Sequence, residues 1–250
     1  MRLIRSFIIA FSTYSKIPMP HVEWSEENKR YSMCFFPMIG AAVGLVLAAW
    51  LWICKLLDIG AFLQGSIAAI LPMIITGGIH MDGFMDTMDA MASWQPRERR
   101  LEILKDSHAG AFSVIGCTGY LLASAGLYSE LNLIRPMICV FVISRSLSAL
   151  VLNHLPKANP GGMLSGFADA AKKRAVDIAC GCYILICAVL LIVFGKWVGF
   201  ATIAAAGVCL LYYRHLAMKH FGGVTGDLAG WFVQVTELAC LAVLVLGGKL

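Results

Sequence analysis

Apolar residues run along this chain in long blocks, and most of the charged residues are gathered between them. The blocks cover about 33–56, 61–79, 110–129, 133–152, 176–194, 197–213 and 228–247. Each is close to the ~20 residues that a helix needs to cross a bilayer. They predict an all-α, polytopic membrane bundle of about seven transmembrane helices, built as one membrane-embedded domain over 1–250. The first and second blocks meet at Asp58-Ile59-Gly60, and the fifth and sixth at Gly195-Lys196. Both pairs read as helical hairpins, although a pair with so little between its members could instead form one re-entrant element. Ahead of the first block lie a short apolar segment and a polar loop with Pro18, Pro20 and the charged stretch Glu23 to Arg30.

The basic residues orient the bundle. Arg2, Arg5, Lys16, Lys29 and Arg30 precede the first block, and Arg97, Arg99, Arg100 and Lys105 lie between the second and third. Lys157, Lys172, Lys173 and Arg174 lie between the fourth and fifth, and Arg214 and Lys219 between the sixth and seventh, while the alternate connections hold almost none. Positive residues stay inside, so the N-terminus and the three long loops are expected in the cytoplasm and the C-terminus outside. The expected location is the cell (inner) membrane, crossed several times.

Composition supports this picture. The chain is 59% hydrophobic and 14% charged, against about 45–50% and about 25% for a soluble domain. A formal net charge of +5 is too weak to point to nucleic acid. The nine cysteines are scattered, mostly inside apolar blocks and without a C-x-x-C pair, and read as small packing residues. Nothing in the sequence decides whether the chain forms a homo-oligomer.

Candidate chemistry collects on the expected cytoplasmic side. Gly77-Gly78-Ile79-His80-Met81-Asp82-Gly83-Phe84-Met85-Asp86-Thr87-Met88-Asp89 follows directly on an apolar block. On a helix, Asp82, Asp86 and Asp89 fall within an arc of roughly 60°. Three like charges on one face repel, and a hard cation such as Mg²⁺ is their natural partner. The plain alternative is a surface helix paired with Arg97, Arg99 and Arg100. A second cluster, Lys105-Asp106-Ser107-His108, precedes the third span. Asp106 or Ser107 could cap that helix, Asp106 could add a carboxylate to the first group, and Lys105 could meet a phosphate. The third cluster, Gly222-Gly223-Val224-Thr225-Gly226-Asp227, leads into the last span, where Gln234 and Glu237 lie; its glycines allow backbone to approach a ligand. The glycine-rich stretch Asn159–Phe167 reads as a plain turn. Arg145, inside the fourth span, should face the interior and pair with a carboxylate or a substrate phosphate.

Carboxylates suited to Mg²⁺ and glycine loops suited to phosphate together suggest membrane-embedded phosphoryl transfer. A P-loop, a H-E-x-x-H zinc motif and a G-x-S-x-G elbow are all absent.

At this point the sequence resembles the cobalamin synthase family, the adenosylcobinamide-GDP ribazoletransferases. Phe11-Ser12-Thr13 with Lys16-Ile17-Pro18-Met19-Pro20 is similar to the family's N-terminal motif. Gly77-Gly78-Ile79-His80-Met81-Asp82-Gly83 with Asp86 and Asp89 resembles its G-G-x-H-x-D-G-x-x-D-x-x-D motif. Arg100 to Gly110, and Gly222 to Asp227 with Gly230 and Glu237, match two further segments, and Phe36-Pro37 and Gly40 also fit. His108 stands where the family commonly has Arg.

The resemblance implies an Mg²⁺-dependent transferase that joins adenosylcobinamide-GDP to α-ribazole or its 5′-phosphate, with GMP leaving. This is the last assembly step of the cobalamin nucleotide loop. It further implies a metal held by Asp82, Asp86 and Asp89, with Asp106 or Asp227 completing the set. His80, Asp82 and Asp86 are the implied catalytic residues, with His80 as candidate general base because an imidazole near pKa 6.5 suits a hydroxyl proton. Lys105, Ser107, Arg145, Gly222, Gly223, Thr225, Gly226 and Glu237 form the implied substrate-binding set. Two rivals stay in view: a CDP-alcohol phosphotransferase-like enzyme, whose D-G-x-x-A-R opening is missing here, and an ion-coupled transporter, whose sites would lie near the bilayer midplane.

Overall fold

The computed structural model describes residues 2–158, 166–167 and 170–250, so most of the glycine-rich stretch Asn159–Phe167 lies outside the described residues. Two helices come first, α1 (Arg2–Tyr14) and the short α2 (Glu26–Lys29). The long helices are α3 (Ser32–Leu56), α7 (Ala111–Ser129), α8 (Ile134–His154), α9 (Lys173–Gly195), α10 (Trp197–Leu216) and α11 (Gly226–Gly247). Between α3 and α7 lie α4 (Ala61–Thr76), α5 (Ile79–Ala92) and α6 (Arg97–Ile103). A π-helical turn, Ala217–Phe221, extends α10.

Among the described residues, six helices are long and apolar enough to cross a membrane, and α4 with α5 makes a seventh if the bent pair is one span. The bundle is therefore the polytopic all-α membrane protein that the apolar blocks predict. The second block differs in one respect. Its helix stops at Thr76, and α5 leaves at 100° to α4. The cause is local: Gly77 and Gly78 both take positive φ, +67° and +80°, a region that glycine enters without steric cost. The Gly78 N–H closes α4 on the Met73 carbonyl at 2.9 Å, which is how helices commonly end.

Both expected hairpins are present. The turn after α3 is closed by Leu57 and Ile59 N–H groups on the Ile53 and Cys54 carbonyls. The α9–α10 turn passes through Lys196 at φ +51°.

Helix α8 is the axis of the bundle. Of its most apolar window, 83% is buried, against 17% for α7 and 22% for α9. Those two turn Ile115, Leu122, Leu185, Ile186 and Val193 outward, as lipid-facing helices do. Where helices meet, small residues let backbones touch: a Cβ on Gly40 would strike the Phe141 carbonyl of α8, and one on Gly65 the Ala125 carbonyl of α7.

One ion pair sits in this core. Arg145 Nη1 of α8 donates to Glu237 Oε1 of α11 at 2.6 Å, both side chains being almost fully buried. Ser144 Oγ donates to the same oxygen at 2.9 Å, and Arg145 Nη1 also reaches the Phe141 carbonyl at 3.0 Å. Removing one partner leaves a buried charge alone, a loss of about 3–5 kcal/mol, whereas removing both with apolar replacements of similar size is close to neutral. Glu237→Ala should accordingly lower the thermal midpoint in detergent far more than the double change Arg145→Met with Glu237→Leu.

Candidate active site

The site is built where α5 lies on α11. A Cβ on Gly83 would fall 2.7 Å from the Asp227 Cα, and one on Gly230 would fall 3.0 Å from the His80 carbonyl oxygen. Glycine at both places lets the helices close in, and this brings the acidic helix to Asp227. Asp227 occupies the first turn of α11, behind Thr225, whose Oγ1 accepts from Leu228 N–H at 3.2 Å. The chain reaches that cap through Gly222, at φ +69°, with the Arg97 guanidinium packed against its Cα. Val224 N–H then donates to the Pro156 carbonyl at 2.8 Å, and Ala158 N–H to the Val224 carbonyl at 3.0 Å. The loop after α8 and the glycine strap before α11 are thereby laid side by side. Helix α6 is fastened to the π-turn by Arg100 Nη1, which donates to His220 Nδ1 at 2.5 Å.

These elements enclose a cavity of about 390 Å³. Helices α5 and α11, with the strap, give it His80, Asp82, Thr225, Gly226 and Asp227. Helices α1, α3 and α8 give Tyr14, Met33, Phe36, Ser148 and Leu152, α6 gives Leu101, the turn after α6 gives Leu104 and Lys105, and the loop after α8 gives Lys157. The Phe36 and His80 rings meet edge-on at 5.8 Å. His80 is buried and its Nε2 finds no hydrogen-bond partner among the described residues.

Negative charge converges beside the cavity. The part-buried Asp86 carboxyl feels Asp82, Asp227 and Asp89, so the group repels itself unless a cation joins it. Among the described residues, no three His, Cys, Asp or Glu side chains close around one point as a metal site by themselves.

The sequence-derived candidates fall in different places. His80, Asp82, Lys105, Thr225, Gly226 and Asp227 line the cavity, and Asp86 stands next to them. Gly222 and Gly223 shape the strap without lining it. Asp89 faces α7: its Oδ2 accepts from Gly110 N–H at 2.7 Å and its Oδ1 from Ser113 N–H at 2.9 Å. The cap of that span is thus supplied from α5, and neither Asp106 nor Ser107 provides it. A Cβ on Gly110 would lie 2.6 Å from Asp89 Oδ1, so a glycine is needed where the carboxylate enters. Asp106 is exposed and accepts from the His108 N–H at 3.0 Å, with the His108 ring at 2.7 Å; the backbone bond and then the ring hold its carboxyl below the usual carboxylate range. Ser107 is exposed as well. Arg145 and Glu237 are spent on each other, apart from the cavity lining.

Of the apolar lining residues, Phe36, Leu101 and Leu104 fall in segments that match the family, while Tyr14, Met33 and Leu152 carry no mark in the sequence that separates them from ordinary core. Lys157 stands among the basic loop residues already noted.

Comparison with known proteins adds the following. The family model described as Cobalamin-5-phosphate synthase matches residues 6–245. A protein of Lachnoclostridium phytofermentans named adenosylcobinamide-GDP ribazoletransferase is 43% identical over 99% of this chain and 96% of its own length. Proteins of the same name from Clostridium botulinum and Pseudomonas putida are 33% and 29% identical, over 96% of this chain and 96% and 98% of theirs. No solved structure matches the chain. With the match running almost end to end, the chain belongs to the cobalamin-5-phosphate synthase family.

Proposed function

We propose that this chain joins adenosylcobinamide-GDP to α-ribazole, or to α-ribazole 5′-phosphate, and releases GMP, completing the nucleotide loop of cobalamin. The observation that carries the reading is the carboxylate wall of the cavity, Asp82 and Asp227 with Asp86 beside them, in a chain whose full-length relatives bear the ribazoletransferase name. Family membership favours it over a CDP-alcohol phosphotransferase or a transporter.

The donor set fits Mg²⁺. That ion prefers oxygen and is usually held by one or two carboxylates, with substrate phosphates and water completing its shell, so a closed protein triad is not required. Asp82, Asp86 and Asp227 would hold it, while both oxygens of Asp89 are engaged by α7. Bound there, the ion would supply neutralisation of the diphosphate and of the departing GMP. Lys105, on the cavity wall, adds positive charge for a phosphate.

In the reaction a ribose hydroxyl of α-ribazole bonds to the phosphorus nearest cobinamide, and the bond from that phosphorus to GMP breaks. His80 Nε2, which has no hydrogen-bond partner among the described residues, takes the hydroxyl proton. The α5–α11 contact holds His80 and Asp82 on one wall, so base and charge face the same substrate.

The cytoplasmic placement of the site rests on charge. Arg97, Arg99, Arg100, Lys105, Lys157 and Lys172 lie at the cavity end, while Lys55, Arg135, Lys196 and Lys249 are at the other. This asymmetry is what the positive-inside rule reads.

Purified chain given adenosylcobinamide-GDP, α-ribazole and Mg²⁺ should release one GMP per cobalamin formed, counted by chromatography; no product from folded protein would sink the reading. Asp82→Asn and Asp227→Asn should each cut kcat by about 10²-fold or more, the scale for losing one electrostatic stabiliser, with an unchanged thermal midpoint. Asp89→Ala should behave differently, destabilising by about 1 kcal/mol as a lost helix cap does, and its thermal midpoint should fall.

A further inference from the structure

The two sides of the cavity differ in chemistry. Helices α5 and α11 present carboxylates and an imidazole, whereas α1, α3 and α8 present Tyr14, Met33, Phe36 and Leu152, with the Ser148 hydroxyl beside them. These four are well buried yet line an open space. The Tyr14 and Phe36 rings lie tilted at 4.7 Å, and the Tyr14 hydroxyl reaches the Met33 sulfur at 3.9 Å, forming one continuous aromatic and thioether surface. Phe36 in turn abuts His80.

Size narrows what can enter. A cavity of about 390 Å³ lies near the lower end of the roughly 300–1,000 Å³ span of small-ligand sites. It has room for a nucleoside. A corrin macrocycle, with its amide side chains and adenosyl group, is too large to share that space with the acceptor.

Resting on the ribazole-transfer reading, we propose that Tyr14, Met33, Phe36 and Leu152 seat the flat dimethylbenzimidazole of the acceptor, and that the corrin stays outside the cavity. The base is bicyclic, carries two methyl groups and has no exocyclic donor. Aromatic rings at tilted or edge-on angles and a methionine sulfur are the contacts such a ring prefers. The other base in the reaction, guanine, has a ring N–H, an exocyclic amine and a carbonyl, and the Tyr14 and Ser148 hydroxyls on this wall are too few to pair them all, at a penalty for burial. A base resting on Phe36 also brings its ribose to His80, where the hydroxyl must lose its proton.

The test is steady-state kinetics on the full chain in lipid nanodiscs, varying each substrate in turn. Met33→Ala and Leu152→Ala should raise KM for α-ribazole on the order of tenfold. Their kcat, and KM for adenosylcobinamide-GDP, should stay within about twofold, a split that packing damage does not give. A rise confined to KM for adenosylcobinamide-GDP would assign the seat to guanine, and equal rises in both with a lower thermal midpoint would reduce the wall to core packing; either overturns the proposal. The unaltered protein gives an arm that needs no variant. The riboside of benzimidazole without its methyls should show a clearly higher KM than α-ribazole, and equal values would also overturn it. Failure of the unaltered chain to form product at all is a separate result, and it counts against the ribazole-transfer reading itself.

Discussion

The approach of α5 to α11 is the constraint on which the site depends. Asp82 and Asp86 ride on one helix and Asp227 on the other, so closing the helices forces like charges together. The closure is possible because Gly83 and Gly230 remove the side chains that would hold the backbones apart. The acidic helix is also held at both ends, by the left-handed glycines that end α4 and by the Asp89 bonds to α7. Three of the four carboxylates stand at helix N-termini, Asp82 in the first turn of α5, Asp89 at α7 and Asp227 at α11. There the positive end of the helix dipole offsets part of the repulsion, typically about 0.3–1 kcal/mol each.

Much of this is legible in the chain, though unevenly. The spans follow from hydropathy because a bilayer demands long apolar helices, and six of the structure's helices answer to that demand alone. The boundary of the second span does not, since Ile79 continues the apolar block past the break and only the paired glycines mark where the chain turns. Spacing places Asp82, Asp86 and Asp89 on one face, yet it cannot say what the face meets. In the folded chain Asp86 meets Asp82 and Asp227, while Asp89, one turn further on, has reached the start of α7. The direction of Arg145 into the core follows from the expense of a charge in lipid, but the choice of Glu237 as its partner is a tertiary fact. The apolar wall was the least legible part. In a chain that is 59% hydrophobic, nothing local separates Met33 or Leu152, which border a cavity, from Ile39, which packs in the same core cluster.

The Arg145–Glu237 pair then has a purpose that stability alone does not give it. A buried ion pair in low dielectric gains little net free energy over an apolar substitute. What the pair does set is axial register. Glu237 stands ten residues after Asp227 on α11, about 15 Å along the helix. If α11 slid by one turn against α8, the pair would part, leaving two desolvated charges, and Asp227 would move by about 5.4 Å. The Gly83–Asp227 and Gly230–His80 contacts would be lost in the same slip, because they too depend on which residues lie opposite. Register at the middle of the bundle therefore fixes depth at its end. An ionic contact inside the apolar core and two buried glycines beside the cavity hold the same coordinate, and that coordinate sets the distance from Asp227 to the acidic helix.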